Sequence, residues 1–315
     1  MDRFFISELR IEHVRHLKDI RIPLSSDKMK HLILTGKNGS GKTSVLDAIG
    51  YNLEGMVSDH FNWKRNITLV INYLGKLRDA FRNGELILAY YRADRIFQAE
   101  VSNHIEKVEL QDRYFMTDTP RYQFVKYLVD LKVTEALARN NGKSEKADAI
   151  QQWFEQFTAL LRKIFGDDSL ELIFEEDTFS FSIREKNREP FDFNTLSSGF
   201  AAVLDIVLDM IIRMEKKTNR SFDFNIPGIV LVDEIETHLH IELQKSVLEL
   251  LTTIFPNVQF IVSTHSPFIL NSISDAVIYD LESNTLVENG LADIPYGGIV
   301  EGYFQSSEMS KILEE

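Results

Sequence analysis

The segment that decides the fold is Gly36-Lys37-Asn38-Gly39-Ser40-Gly41-Lys42-Thr43, which matches the pattern G-x-x-x-x-G-K-[ST] at every fixed position. Glycines let a backbone wrap a phosphate group, and successive N–H groups at the start of a helix supply positive potential. We expect Lys42 to reach the β- and γ-phosphates of a nucleotide, and the Thr43 hydroxyl to bind Mg²⁺. Ser44 completes the predicted phosphate-binding segment. The alternative is a glycine turn with a chance lysine.

The sequence on both sides of this loop argues against that alternative. Residues 31–35, before the loop, are short and mostly apolar, as in a buried strand. Residues 42–54, after it, place Val45, Leu46 and Ile49 on one face of a helix. The order strand, glycine loop, helix is the context that a phosphate-binding loop requires.

The last third of the chain alternates helices with short apolar strands. Helices are predicted at residues 197–217 and 241–255, and strands at 229–232 and 259–263. A further strand pair is expected near residues 277–287. Fully apolar strands between helices favour a mostly parallel sheet covered on both faces. The predicted fold class is therefore α/β, with the P-loop NTPase architecture.

The first part of the chain shows a different pattern. Residues 4–24 alternate apolar and polar side chains, which predicts antiparallel strands joined near residues 13–16. Residues 66–81 have helical spacing, and residues 85–91 are typical of a strand. With the glycine loop, these segments form a predicted N-terminal lobe of residues 1–99.

Two helices and two strands are predicted in the middle of the chain. Helical spacing runs from Pro120 to about residue 141 and from Ser144 to Gly166, which indicates an inserted helical hairpin. Aromatic-rich strands are expected at residues 170–175 and 179–184. This insertion takes residues 100–190, and a C-terminal lobe takes residues 191–315.

Two carboxylates follow the apolar strand at residues 229–232. An acid at the carboxyl end of a sheet strand can reach Mg²⁺ beside the phosphate loop, and Asp233 is that candidate. Glu234 would polarise the attacking water. Charged residues commonly follow a strand, so these two carboxylates alone are weak evidence for a site. Together with the phosphate loop, they indicate a nucleotide site.

The strand at residues 259–263 delivers His265 to the same predicted sheet edge. We interpret His265 as a sensor that hydrogen-bonds the γ-phosphate and loses its partner on hydrolysis. A surface histidine in a turn is the alternative. His238 and His240 lie near two glutamates, but we favour a dimer-facing loop over a metal site for that segment.

These elements in this order resemble the ABC-type ATPase superfamily. Leu196-Ser197-Ser198-Gly199 is similar to the signature motif of that family. The resemblance implies a head-to-tail homodimer, or a higher homo-oligomer, in which Ser197, Ser198 and Gly199 of one copy reach the γ-phosphate of ATP that the other copy binds with Mg²⁺. It also implies ATP hydrolysis, with Lys42, Glu234 and His265 as catalytic residues.

Within the superfamily, the chain resembles the RecF, SMC and OLD group of ATPase heads. Residues 9–19, 233–240 and 263–267 carry this resemblance. The chain looks most like the ATPase subunits of bacterial anti-phage systems such as Septu and the retron-associated ATPases, and residues 296–304 are reminiscent of them. The implied function is a switch that controls a separate effector, such as a nuclease, in phage defence.

Three features differ from the family pattern. Phe200 stands where the family usually has Gln or Glu after the signature glycine. A Q-loop is not evident, although Gln98, Arg92 or Arg95 follows a strand and could serve. No nuclease with its Glu and Asp-x-Asp acids is expected after His265.

Composition narrows the class of protein further. The 315 residues include no cysteine, which excludes disulfides and cysteine nucleophiles, and no apolar run is long enough for a membrane span. A cytoplasmic location without membrane contact is therefore expected. The net charge of −13 argues mildly against a dedicated nucleic-acid binder. A RecF-like ATPase that binds DNA when ATP-bound, and a nucleotide-dependent scaffold with vestigial hydrolysis, remain alternatives.

Overall fold

The computed structural model describes residues 3–58, 66–95, 97–100 and 104–291, which contain both strands and helices. The strands are β1 (Ile6–Val14), β2 (Leu17–Pro23), β3 (His31–Thr35), β4 (Ile67–Ile71), β5 (Ile87–Tyr91), β6 (Glu171–Glu175), β7 (Ser180–Arg184), β8 (Gly228–Val232), β9 (Val258–Ser263), β10 (Ala276–Asp280) and β11 (Thr285–Val287). The helices are α1 (Lys42–Val57), α2 (Leu74–Arg82), α3 (Phe124–Asn140), α4 (Ser144–Phe165), α5 (Ser198–Glu215), α6 (Ile241–Ile254) and α7 (Pro267–Leu270). The tail at residues 296–304 lies outside the described residues.

A six-stranded sheet in the order β11-β10-β3-β9-β8-β5 forms the centre of the fold. Every neighbouring pair is parallel except β10 and β11, which are antiparallel. This arrangement confirms the predicted α/β class and P-loop NTPase fold with a mostly parallel core sheet. The lobe boundaries at residues 99 and 190 stay predictions.

Both faces of the sheet are covered, because alternate residues of each strand enter different hydrophobic clusters. Val230 and Val232 pack with the buried side chains of α3, α4 and α5. Ile229 and Leu231 point the other way and pack with α1 and the N-terminal strands. The central strands are consequently buried along their whole length, which explains their near-continuous apolar sequence.

The N-terminal strands form a separate antiparallel sheet in the order β2-β1-β4. The prediction of one helix over residues 66–81 was wrong for its first part. Ile67, Leu69 and Ile71 are buried while the residues between them are exposed, which is the period of two of a strand. Pairing with β1 satisfies the backbone of this segment, so the helix begins only at Leu74.

The two middle helices pack against each other and against the body of the protein. α4 ends at Gly166, whose left-handed φ of 67° suits a glycine at a helix end. Trp153 and Phe157 of α4 are buried in the main hydrophobic cluster, and the Trp153 ring nitrogen donates to Glu215 of α5 at 3.0 Å. The helical hairpin therefore forms part of the main hydrophobic core.

Candidate nucleotide site

Three adjacent strands deliver the predicted site residues to one edge of the sheet. β9 lies between β3 and β8, with Leu34 level with Ser263 and Val232 level with Val262. Because the strands are parallel, the segments that follow them leave at the same edge. The glycine loop follows β3, Asp233 and Glu234 follow β8, and His265 follows β9.

The glycine loop is folded around the side chain of Lys42. Gly41 forms the N-cap of α1 with a φ of 100°, a conformation that strongly favours glycine. Lys42 is only 6% exposed, and its Nζ donates to the carbonyls of Gly36 at 2.9 Å and Lys37 at 3.2 Å. The Ser40 hydroxyl is buried and has no partner among the described residues. Lys42 therefore lies at a helix N-terminus with backbone carbonyls as its hydrogen-bond partners here, and this position suits the binding of a phosphate group.

Several carboxylates surround this lysine. Burial lowers the pKa of Lys42, and the nearby acids Glu234, Glu236, Asp233 and Asp280 oppose that shift. A polyphosphate placed here needs a cation to offset this negative charge. Asp233 offers a carboxylate, and Thr43 lies exposed in the first turn of α1. This donor set of hard oxygen ligands fits Mg²⁺.

The backbone after β8 makes a strained turn that Ser263 supports. The Ser263 hydroxyl donates to Asp233 Oδ1 at 2.5 Å and accepts from the Glu234 N–H at 2.8 Å. Glu234 has a φ of 44°, a left-handed conformation that costs a non-glycine residue on the order of 1–3 kcal/mol. Its side chain is half-buried and accepts from the Thr237 hydroxyl at 3.3 Å. Sequence reasoning missed Ser263, whose signal is a polar residue ending an apolar strand.

Glu236 connects this turn to His265. The backbone N–H of half-buried His265 donates to Glu236 Oε1 at 2.6 Å. The other Glu236 oxygen is buried and has no partner among the described residues. Sequence reasoning did not assign Glu236 a role. The sequence feature that could have indicated a role for Glu236 is its position two residues after Glu234, within the segment 233–240 that carries the family resemblance.

The three Q-loop candidates have different surroundings. Arg95 is 5% exposed and binds the backbone carbonyls of residues 233–235. Arg92 is exposed, pairs with Asp47 of α1 at 3.2 Å and lies over the Tyr90 ring. Gln98 is exposed.

The signature-like segment lies at the N-terminus of α5. Ser197 is its N-cap without a side-chain capping bond, and both Ser197 and Ser198 are exposed. Gly199 is buried, and a Cβ there would lie 3.2 Å from the carbonyl oxygen of His238. Phe200 stacks on Phe165 of α4 with ring centroids 4.2 Å apart. No hydrogen bond joins these serines to the glycine loop within the described ranges.

A cavity of about 710 Å³ opens beside the glycine loop. Its walls are residues 16–21 of the β1–β2 hairpin, residues 37–40 of the loop, and Tyr279 with the turn after β10. At the edge of the cavity, Lys37 forms a salt bridge with Glu282, with 2.8 Å between Nζ and Oε1. The volume is within the range of small-molecule sites.

Comparison with known proteins finds one matching family model and several similar proteins. A family model described as "AAA domain, putative AbiEii toxin, Type IV TA system" matches residues 135–271, a span that includes the signature-like segment, Asp233, Glu234 and His265. "Septu protein PtuA" of Bacillus mycoides is 26% identical over 305 residues, which is 89% of this chain. "Retron Vc95 probable ATPase" of Vibrio cholerae is 38% identical over 95 residues, 30% of this chain. The chain is a relative of the ABC/AAA-type ATPases.

The chain spans less than half of the length of these two relatives. The alignments cover 41% of the Bacillus mycoides protein and 18% of the Vibrio cholerae protein. A solved SMC head bound to the C-terminal winged-helix domain of ScpA matches with a TM-score of 0.49 and 16% identity, covering 92% of this chain and 100% of that one. Within the described ranges, no helix is both long enough and apolar enough to span a membrane.

Proposed function

We propose that the chain binds ATP with Mg²⁺ and hydrolyses it as an ATPase. The observation that carries this proposal is the convergence of the Lys42 loop, the Asp233–Glu234 turn and His265 at one sheet edge. The cavity beside the loop has room for the base and ribose of a nucleotide. The proposed location is the cytoplasm, where ATP is abundant.

Each group has a distinct part in the proposed reaction. The loop N–H groups and Lys42 hold the phosphates, while Thr43 and Asp233 would hold Mg²⁺. Mg²⁺ bound by these residues would neutralise charge on the phosphate oxygens. Glu234 orients and polarises the attacking water, and His265 contacts the γ-phosphate. Catalysis then consists of positioning and electrostatic stabilisation without a covalent intermediate.

The proposal includes a second copy of the chain. Ser197 and Ser198 are exposed at the N-terminus of a buried helix, and their backbone N–H groups suit an anion. We propose that they contact the γ-phosphate of ATP bound by the partner copy. ATP would then join the two copies. Hydrolysis to ADP and inorganic phosphate, followed by release of the phosphate, would remove the charge that holds them together.

The experiment that tests this switch is the molar mass in solution of Glu234→Gln, measured by light scattering with and without ATP and Mg²⁺. This variant should bind ATP without hydrolysing it, so the closed dimer should accumulate. We expect a shift from monomer to dimer that adding Lys42→Ala abolishes. A mass that ATP does not change would contradict the switch. Phosphate release by the wild-type chain tests hydrolysis separately, and its absence would favour a scaffold with vestigial hydrolysis.

The biological output in this proposal is control of a separate effector, a nuclease, in phage defence. The likeness to Septu PtuA and to the retron ATPases supports it. The test is purification of a tagged chain expressed together with its neighbouring genes. A nuclease that co-purifies with the wild-type chain would support the proposal, and purification of the chain alone would count against it.

A further inference from the structure

Arg95 lies where two loops at the carboxyl edge of the sheet meet. β5 and β8 are parallel neighbours, and Tyr91 at the end of β5 is level with Val232 at the end of β8. The Asp233 N–H donates to the Tyr91 carbonyl at 2.8 Å, so the chain after β8 begins beside the chain after β5. Arg95 follows Tyr91 by four residues and reaches across to the turn that carries Glu234.

The guanidinium of Arg95 binds the backbone of that turn through three carbonyls. Its Nη1 donates to the Asp233 carbonyl at 2.9 Å, and its Nη2 donates to the carbonyls of Glu234 at 3.3 Å and Ile235 at 3.0 Å. Nη1 also donates to the carbonyl of Arg92 at 3.1 Å, which fixes the loop to which Arg95 itself belongs. One planar group therefore joins both loops.

The site tolerates this buried cation because acids surround it. Burial lowers the pKa of Arg95, while Asp205, Glu236, Asp233 and Glu234 favour its charged form. A buried arginine that binds only carbonyls would otherwise carry a large desolvation cost. These acids include the carboxylates of Asp233 and Glu234 in the predicted catalytic turn.

The turn needs such support from outside. Glu234 has a left-handed φ of 44°, and a conformation of this kind persists only where the surrounding structure holds it. Ser263 binds the turn from the β9 side, and Arg95 binds it from the β5 side. A shift of about 1 Å in a catalytic group can cost on the order of 100-fold in rate.

We propose that Arg95 is a positioning residue for hydrolysis, which holds the backbone of residues 233–235 so that the Glu234 carboxylate faces the attacking water. It makes no contact with nucleotide in this role. The inference rests on the proposed ATPase function. Lysine cannot replace it, because a single ammonium lacks the planar fork that spans three carbonyls.

The test compares Arg95→Lys and Arg95→Gln with Arg213→Lys as a matched control. Arg213 is also buried. Its Nε pairs with Asp209 at 2.6 Å, and its other nitrogens donate to the carbonyls of Leu88, Phe115 and Asp118, which lie outside the catalytic turn. We expect both Arg95 variants to lower kcat for ATP about 10- to 100-fold, with little change in KM. Arg213→Lys should lower the melting temperature but leave kcat of the folded protein unchanged.

Amide hydrogen exchange of the nucleotide-free chain gives a readout that does not depend on activity. The N–H groups of Glu234, Ile235 and Thr237 are hydrogen-bonded within or beside the turn. We expect exchange of a peptide covering residues 233–239 to rise at least about tenfold in the Arg95 variants and to stay unchanged in Arg213→Lys.

The possible outcomes distinguish a failure of the Arg95 inference from a failure of the proposed ATPase function on which it rests. Wild-type protein that releases no phosphate would refute the ATPase proposal, and the exchange data would still decide whether Arg95 holds the turn. Unchanged kcat and unchanged exchange in the Arg95 variants would overturn the inference while the ATPase proposal stands. If neither Arg95 variant folds and Arg213→Lys does, Arg95 is a folding residue and the inference is wrong.

Discussion

The hydroxyl of Ser263 lies 2.5 Å from the Asp233 carboxylate and donates a hydrogen bond to it. The same oxygen accepts from the Glu234 N–H at 2.8 Å. One buried side chain on β9 thus fixes both the proposed Mg²⁺ ligand and the backbone of the proposed catalytic glutamate. Removing a group that orients a metal ligand typically costs about 10- to 100-fold in metal affinity.

Ser263→Ala should weaken the use of Mg²⁺ by the ATPase. The change leaves one Asp233 oxygen and the Glu234 N–H without a buried partner, so we expect the Mg²⁺ concentration for half-maximal hydrolysis to rise about 10- to 100-fold. The free energy of unfolding should fall by about 1–3 kcal/mol. The measurement is a Mg²⁺ titration of phosphate release at saturating ATP.

Ser272→Ala is the matched control, because that hydroxyl donates to the Ile269 carbonyl at 2.7 Å, outside the catalytic turn. It should leave the Mg²⁺ titration unchanged. An unaltered titration in Ser263→Ala as well would show that Asp233 needs no orientation by Ser263.

Two substitutions at Glu236 should separate its hydrogen bond from its charge. Glu236→Gln keeps an oxygen that can accept from the His265 N–H, whereas Glu236→Ala removes the acceptor. We expect Glu236→Gln to stay within about 3-fold of the wild-type kcat and Glu236→Ala to fall at least about 10-fold, because the His265 backbone loses its anchor. Steady-state kinetics measure both effects.

The charge of Glu236 should appear in the pH dependence. Glu236 favours the charged form of Lys42, so its removal should lower the pKa of that lysine further. In Glu236→Gln the alkaline limb of the kcat/KM profile should therefore move to lower pH. Equal losses of kcat in the two variants would show that the charge, and not the link to His265, is the important property.

The sequence is sufficient to predict candidate residues that belong to a short pattern along the chain. Lys42 and Gly41 belong to a continuous pattern whose spacing sets their geometry, and Asp233 and His265 each follow an apolar strand. The parallel sheet followed from strand composition in the same way. These predictions need no knowledge of which strands are neighbours.

The supporting residues could not be predicted in this way. Ser263 reaches Asp233 only because β9 and β8 are paired in one register, and Arg95 reaches residues 233–235 only because β5 lies beside β8. Such contacts depend on tertiary structure, which the spacing of residues along the chain does not reveal. The error at Ile67–Ile71 has the same origin, since pairing with β1 decides that this segment is a strand.

Phe200 should act in helix packing and not in catalysis. Its ring stacks on Phe165 with centroids 4.2 Å apart and an interplanar angle of 16°. Phe200→Gln, which introduces a residue usual at this position in the ATPases that the sequence resembles, should lower the free energy of unfolding by about 1–2 kcal/mol. A double-mutant cycle with Phe165→Leu in urea should give a coupling energy of about 0.5–1.5 kcal/mol. Additive effects of the two changes would contradict direct stacking.

His31 should make stability depend on pH below neutrality. It is buried at the start of β3, where its Nδ1 accepts from the Phe260 N–H at 3.0 Å, and burial lowers its pKa from 6.5 to about 4. The unfolded chain then binds a proton between pH 6.5 and 4 that the folded chain does not, so this stabilisation is complete above pH 6.5. It should be lost as the pH falls to 4, by roughly 3 kcal/mol in the free energy of unfolding. His31→Asn keeps an acceptor but cannot titrate, so urea denaturation should show lower stability with a smaller pH slope. An equal slope in both proteins would assign the acid sensitivity to other groups.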